Sequence, residues 1–117
     1  MEMIDRVGRL LKDHGRYKGR VFTEGEQSAA KNLSPKQRVE FYAAAFSGKE
    51  SVMKALGTGW SSKVQWSEIE IPLGDSTDAR LYGKTAKFAE GLGISRISVS
   101  LTSTTKCVIA TAVAEKE

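Results

Sequence analysis

The spacing of apolar residues near the start of the chain predicts two helices. A run at helical spacing that stops at Gly15 predicts an amphipathic helix over residues 3–14. Its apolar positions are Ile4, Val7, Leu10 and Leu11. Thr23, followed three residues later by Glu26, is a capping-box pattern, and it predicts a short helix that extends to about Lys31.

A third and longer helix is predicted from Ser34 onward. Ser34 suits the N-cap, and Pro35 suits the first helical position, where its missing N–H costs nothing. One apolar stripe then predicts a helix over residues 35–56 that ends at Gly57. The stripe comprises Val39, Tyr42, Phe46, Met53 and Leu56. Gly48 inside this helix costs about 1 kcal/mol relative to alanine, which indicates a close approach to the backbone by a packing partner or a ligand.

The second half of the chain changes to a strand-like pattern. Imperfect alternation over residues 64–71 predicts a half-buried strand, and residues 79–82 predict a second, short one. Helical spacing returns over residues 85–92. Residues 97–101 and 108–113 are apolar runs on either side of a Thr-rich turn, which is typical of a β-hairpin. Helices followed by strands predict an α+β fold in which an antiparallel sheet packs against the long helix.

Composition limits the class of protein. A chain of 117 residues with 40% apolar and 27% charged residues predicts a single globular domain over residues 1–117. No apolar run approaches the roughly 20 residues of a spanning helix, and charges interrupt the first residues where a secretory signal would be apolar. We therefore expect a cytoplasmic protein without membrane contact. Cys107 is the single cysteine, so it cannot form an internal disulfide, and together with the single His14 it cannot form an ordinary zinc site.

Charge is unevenly distributed within the formal net charge of +4. Residues 1–20 hold six basic side chains against three acidic ones, which favours an acidic partner or, equally, a solvated helix face. Nucleic acid is the least favoured partner, because no helix-turn-helix, zinc-finger or aromatic RNA-binding pattern accompanies the charge.

The segment 46–59 is the most informative part of the chain for chemistry. Glu50 and Lys54 stand four residues apart, so both should project from one helical face, opposite the apolar stripe. A carboxylate suits Mg²⁺, an ammonium suits phosphate, and glycines such as Gly57 let backbone N–H groups approach anionic oxygens. Spacing alone still favours a helix-stabilising pair followed by a C-cap. Gly83-Lys84-Thr85 is no P-loop, because Asp78 occupies the position of the required glycine.

The residues from Phe46 to Gly59 resemble the signature of the holo-acyl-carrier-protein synthases, a family of 4'-phosphopantetheinyl transferases. Other features of that family follow in order along the chain: a basic first helix, the segment 20–26, the acidic strand 67–71, the turn 81–83 and the hairpin start at 99–102. The chain lacks a Gly-Lys-Pro segment before Leu81, which is similar to the transferase domain fused to fungal-type fatty acid synthases.

The resemblance implies a 4'-phosphopantetheinyl transferase-like fold and transfer of 4'-phosphopantetheine from coenzyme A to a serine of an acyl carrier protein, with release of 3',5'-ADP. It assigns Glu50 to Mg²⁺ and to catalysis, and Lys54 to catalysis and to the coenzyme A phosphates. Further coenzyme A contacts would come from Lys49, Gly57, Thr58, Gly59 and Ser103. Arg6 and Arg9 would bind the acidic carrier, and the family commonly forms trimers with active sites between subunits.

Departures from the family pattern motivate an alternative function. The family's aspartate that completes the Mg²⁺ site would stand just before Met1, so the N-terminal strand and the second metal ligand are expected to be missing and a sheet edge to be unpaired. Ser103 replaces a histidine, and Ala45 replaces a frequent arginine. The alternative is a non-catalytic module that binds a carrier protein or coenzyme A.

Overall fold

A computed structural model of the chain describes residues 2–3, 21–57, 64–72, 77–103 and 107–116. Within these ranges the elements occur in the following order: strand β1 (Glu2–Met3), helix α1 (Glu24–Lys31), helix α2 (Pro35–Leu56), a 3₁₀ turn (Trp66–Glu68), strands β2 (Ile69–Glu70) and β3 (Arg80–Leu81), helix α3 (Gly83–Gly91), and strands β4 (Ile94–Ser103) and β5 (Cys107–Lys116). The predicted α+β class with antiparallel strands is confirmed. Among the described helices, none has the length and hydropathy to cross a bilayer.

Both predicted capping signals operate. The Thr23 hydroxyl accepts from the Glu26 N–H at 3.1 Å, and the Thr23 N–H donates to Glu26 Oε1 at 2.9 Å, so the capping box that starts α1 is complete. Ser34 and Gln37 form the same reciprocal pair at the start of α2. The long helix ends at Gly57, whose φ of +80° is accessible to glycine at little cost. The predictions for α1 and α2 are therefore confirmed.

The larger sheet has the strand order β1-β5-β4 and is antiparallel throughout. The hairpin of β4 and β5 is longer than predicted, with Ile94 paired to Lys116 at one end and Ser103 paired to Val108 at the other. The expectation of a missing first strand and an unpaired edge is wrong in part, because Glu2 pairs with Val108 and Met3 pairs with Cys107. Since Met3 lies in β1, the predicted helix over residues 3–14 cannot begin there; its remainder lies outside the described residues.

The predicted strand over residues 64–71 is mostly a different structure. A 3₁₀ turn occupies residues 66–68, and only Ile69–Glu70 form a strand, which pairs antiparallel with Arg80–Leu81. A contact with another element holds this turn, because the Glu68 side chain accepts hydrogen bonds from N–H groups at the start of α3. That helix begins at Gly83, two residues earlier than predicted.

The core lies between α2 and the inner face of the hairpin. Ile97 and Val99 of β4 and Val108 of β5 are nearly inaccessible, and they face the buried side of α2. That side contributes Phe41, Tyr42, Ala45, Val52, Met53 and Leu56. Burying the larger of these side chains stabilises the fold by about 1.5–3 kcal/mol each, so this contact fixes which face of α2 points inward.

The predicted close approach at Gly48 is made by a packing partner. A Cβ at Gly48 would lie 2.9 Å from both Cδ1 and Cγ1 of Ile71, a buried side chain on the segment that contains β2. We expect Gly48→Ala to destabilise the protein by about 1–2 kcal/mol, because overpacking costs more than the gain in helix propensity. Urea unfolding measures the change. Gly91→Ala is the control, because nothing lies within 4 Å of its added Cβ. An equal effect at both positions would show that packing at Gly48 is not responsible.

Candidate functional site

Glu50 and Lys54 lie one helical turn apart on α2, along the edge where the buried side of the helix meets its solvent-exposed side. Glu50 is half-buried and Lys54 is exposed, while Met53 between them is buried. The prediction that Glu50 and Lys54 share one helical face is confirmed. The prediction that this face lies opposite the whole apolar stripe is not confirmed. Because Phe46 precedes Glu50 by four residues, it lies on the same edge rather than on the opposite side. Gly57 follows at the end of the helix.

Phe46 borders this edge as half of an aromatic pair. Its ring stacks on that of Trp66 with centroids 4.8 Å apart and planes only 10° from parallel, and both rings are half-buried. The stack ties the turn of α2 before Glu50 to the 3₁₀ turn. Sequence reasoning missed Trp66, because its place in an alternating pattern made it an ordinary strand residue.

Lys49 requires a correction. Although it was predicted to contact coenzyme A, its side chain is fully buried, and its ammonium is directed into the core. Nζ donates to the carbonyl of Trp66 at 3.0 Å and to the carbonyl of Ile69, and it forms an ion pair with Glu26 Oε1 at 2.8 Å. These three partners match the three donors of an ammonium. Lys49 is therefore a core residue in this structure rather than a phosphate contact.

The Glu26 carboxylate is equally buried and equally well bonded. Oε1 accepts from the Thr23 N–H at 2.9 Å beside its contact with Lys49, and Oε2 accepts from the Ile71 N–H at 2.8 Å. Burial lowers the pKa of Lys49 from its ordinary value, and the adjacent Glu26 carboxylate opposes that shift by favouring the ammonium. With a carboxylate 2.8 Å away and two carbonyls around it, the pair is held as an ion pair in the core.

A separate acidic side chain closes the start of α3. Glu68 Oε2 accepts from the Lys84 N–H at 3.2 Å, and Oε1 accepts from the N–H and hydroxyl of Thr85 at 3.1 and 2.9 Å. A phosphate would need these same donors. The structure thus agrees with the rejection of a P-loop at Gly83-Lys84-Thr85. A cavity of about 230 Å³ lies elsewhere, against Glu26, Glu70, Asp78 and Arg80, and neither Glu50 nor Lys54 lines it.

Several predicted site residues lie wholly or partly outside what the structure describes. Thr58, Gly59, Arg6 and Arg9 fall in undescribed ranges, and Ser103 is described only as the last backbone position of β4. Among the described residues there is no cluster of three His, Cys, Asp or Glu side chains that could hold a metal. Glu50 alone still fits Mg²⁺, which is often held by one or two carboxylates together with water and substrate phosphates.

Comparison with known proteins places the chain in a family. Residues 1–111 match the family model of the 4'-phosphopantetheinyl transferase superfamily. A holo-[acyl-carrier-protein] synthase of Solibacter usitatus is 37% identical, covering 86% of this chain and 82% of the relative. That of Koribacter versatilis is 34% identical, covering 96% and 90%. The crystal structure of the Neisseria meningitidis enzyme superposes with a TM-score of 0.87 at 31% identity, covering 98% of this chain and 93% of that one. The chain therefore belongs to the 4'-phosphopantetheinyl transferase superfamily, as an enzyme of the holo-acyl-carrier-protein synthase type.

Proposed function

We propose that this protein transfers 4'-phosphopantetheine from coenzyme A to a serine of an acyl carrier protein and releases 3',5'-ADP. Family membership supports the reaction class. The observation that carries the assignment to this chain is the geometry of α2, which presents the half-buried Glu50 and the exposed Lys54 one turn apart on one edge. The resemblance to the synthase-fused type of transferase stays a prediction.

The proposed reaction needs positioning and charge neutralisation more than covalent help from protein. The serine oxygen bonds to the phosphorus that carries pantetheine and gives up its proton to solvent. The bond from that phosphorus to the bridging pyrophosphate oxygen breaks, so charge develops on the departing 3',5'-ADP. Lys54 would contact the coenzyme A phosphates, and Glu50 would hold a Mg²⁺ ion that neutralises phosphate charge when bound. Backbone N–H groups near Gly57, Thr58 and Gly59 would add donors, with Ser103 as a further coenzyme A contact.

The carrier protein would bind to the basic N-terminal segment. Residues 1–20 contain six basic side chains, among them Arg6 and Arg9, which suit an acidic carrier surface. Electrostatic attraction of this kind accelerates association and weakens with added salt. We place the reaction in the cytoplasm and in fatty acid biosynthesis, with neither nucleic acid nor membrane as a partner.

A carrier or coenzyme A binding module without catalysis is the second candidate, favoured by the lack, among the described residues, of three His, Cys, Asp or Glu side chains grouped to hold a metal ion. Incubation with an apo-acyl-carrier protein, coenzyme A and Mg²⁺ separates the two. An increase in carrier mass by one phosphopantetheine group supports transfer. Saturable binding of the carrier with unchanged carrier mass, at enzyme concentrations equal to the carrier, would contradict transfer and favour the module.

We also propose that the chain forms a homo-trimer. On the outer face of the hairpin, Ile109 and Val113 are 50% and 56% exposed among serines and threonines, a surface suited to burial against another protomer. Light scattering at micromolar concentration should give about three times the protomer mass of 12.8 kDa. A mass of one protomer would contradict this assembly.

A further inference from the structure

Two consecutive residues of α2, just before Glu50, are fixed to the segment 66–71. Gly48 packs so closely on Ile71 that a Cβ would be 2.9 Å from its side chain. Lys49 then donates to the carbonyls of Trp66 and Ile69. One of these contacts is steric and the other directional, and both act on the same helical turn.

The Glu26–Lys49 pair extends this attachment to α1. Glu26 bonds to Lys49 through one oxygen and to the Ile71 N–H through the other, while the Thr23 N–H anchors it to the start of its own helix. Both side chains are at most 1% exposed. Three separate parts of the chain thus meet at one buried pair of charges.

A pair of buried charges is a costly way to obtain stability. Apolar residues of similar volume often serve as well or better, because they avoid the cost of desolvation. What such residues lack is direction: an apolar side chain tolerates several helix rotations, whereas an ammonium between one carboxylate and two carbonyls has one good position.

The rotation of this turn determines where Glu50 and Lys54 point. At the outer radius of a helix, about 5–6 Å from its axis, a rotation of roughly 20° displaces a side chain by about 2 Å. Misplacement of about 1 Å can cost on the order of 10²-fold in rate. The rotation of this helical turn therefore determines how well Glu50 and Lys54 can contact a phosphate at this edge of α2.

We propose that Glu26 and Lys49 are positioning residues of the transferase: they fix the rotation of α2 at residues 48–54 so that Glu50 and Lys54 face coenzyme A. This inference rests on the proposed function. It gives Lys49 a role different from the direct phosphate contact that the family resemblance implies. It also assigns a role to Glu26, which the sequence pattern predicts only as the glutamate of a capping box.

The test removes both charges together with the double variant Glu26→Gln/Lys49→Met, which keeps side-chain volumes similar. We expect a urea unfolding midpoint below that of the parent but above that of Lys49→Met, because no unpaired charge remains although the carbonyls of Trp66 and Ile69 lose their donor. We further expect the dissociation constant of coenzyme A, measured by calorimetry with Mg²⁺ and without carrier protein, to rise tenfold or more, as estimated from misplaced site groups. Glu24→Gln is the matched control, because Glu24 lies exposed in the first turn of the same helix.

A folded double variant that binds coenzyme A with the parent's affinity overturns the proposal. If the double variant unfolds far below the parent, Glu26→Asp decides instead, because it keeps the charge but shortens the reach by one methylene. Weaker coenzyme A binding by that folded variant supports positioning, and unchanged binding overturns it. Absence of transfer by the parent itself would defeat the proposed function, whereas a parent that transfers and a double variant that matches it would defeat only the positioning role.

Discussion

Glu50→Gln should lower kcat for phosphopantetheine transfer by at least about 10²-fold while leaving the protein folded. The substitution removes one negative charge from the edge of α2 and changes almost nothing in volume. Glutamine forms helices nearly as well as glutamate, and Glu50 is only half-buried, so the free energy of unfolding should change by less than about 1 kcal/mol. The expected loss therefore reports on charge at the site rather than on folding.

The assay is the mass increase of an apo-carrier protein at saturating coenzyme A and over a range of Mg²⁺ concentrations. Glu40→Gln provides the control, because it makes the same chemical change about 15 Å earlier on the same helix. Parent-like kcat in Glu50→Gln would remove Glu50 from the mechanism. A large loss in Glu40→Gln as well would indicate that the helix, not the site, is sensitive.

Lys54→Gln separates substrate binding from turnover at the same site. Hydrogen bonds to charged groups contribute about 1.5–3 kcal/mol, which corresponds to a rise of roughly 10- to 100-fold in KM for coenzyme A. If phosphate contact by Lys54 is mainly a binding interaction, kcat should fall much less than in Glu50→Gln. An unchanged KM would show that the exposed ammonium of Lys54 does not contact coenzyme A.

The sequence predicts best those elements whose signals are local. The helices α1 and α2 begin at side chains that bond to their own first turns, so Thr23 and Ser34 could be recognised without knowledge of the fold. The hairpin is equally local, because alternation and a short polar turn bring its strands together. Such elements require no information from distant parts of the chain.

The errors arise where distant residues decide the local structure. Alternation over residues 64–71 predicts a strand, yet the carbonyls of Trp66 and Ile69 bond to Lys49, and the Glu68 side chain caps α3. These partners are 16 or more residues away along the chain. No local pattern in the segment contains them.

Lys49 itself could have been recognised as a core residue. Tyr42, Ala45, Val52 and Met53 precede and follow it at spacings of three, four and seven residues, which places Lys49 in the middle of the buried stripe. A lysine there needs a buried acidic partner, and Glu26 fills that role in addition to capping α1. Family resemblance indicates a phosphate contact for Lys49, whereas the periodicity indicates the core.

Lys49→Met should be among the most destabilising single substitutions in the described part of the chain, at about 3–5 kcal/mol. It leaves the buried Glu26 carboxylate without its cationic partner and the carbonyls of Trp66 and Ile69 without the donor that they share. Unfolding in urea, at equal protomer concentration for parent and variant, should show a midpoint lower by about 2 M for a slope near 2 kcal/mol/M.

The comparison with other substitutions shows whether the charge pair itself is responsible. Lys36→Met makes the same change at an exposed position in the first turn of α2, and it should alter stability by no more than about 0.5 kcal/mol. Adding Glu26→Gln to Lys49→Met should recover much of the lost stability, because no unpaired charge then remains in the core. If the double variant were as unstable as the sum of its two single variants, the two charges would be acting independently, and the idea of one pair that orients α2 would lose its physical basis.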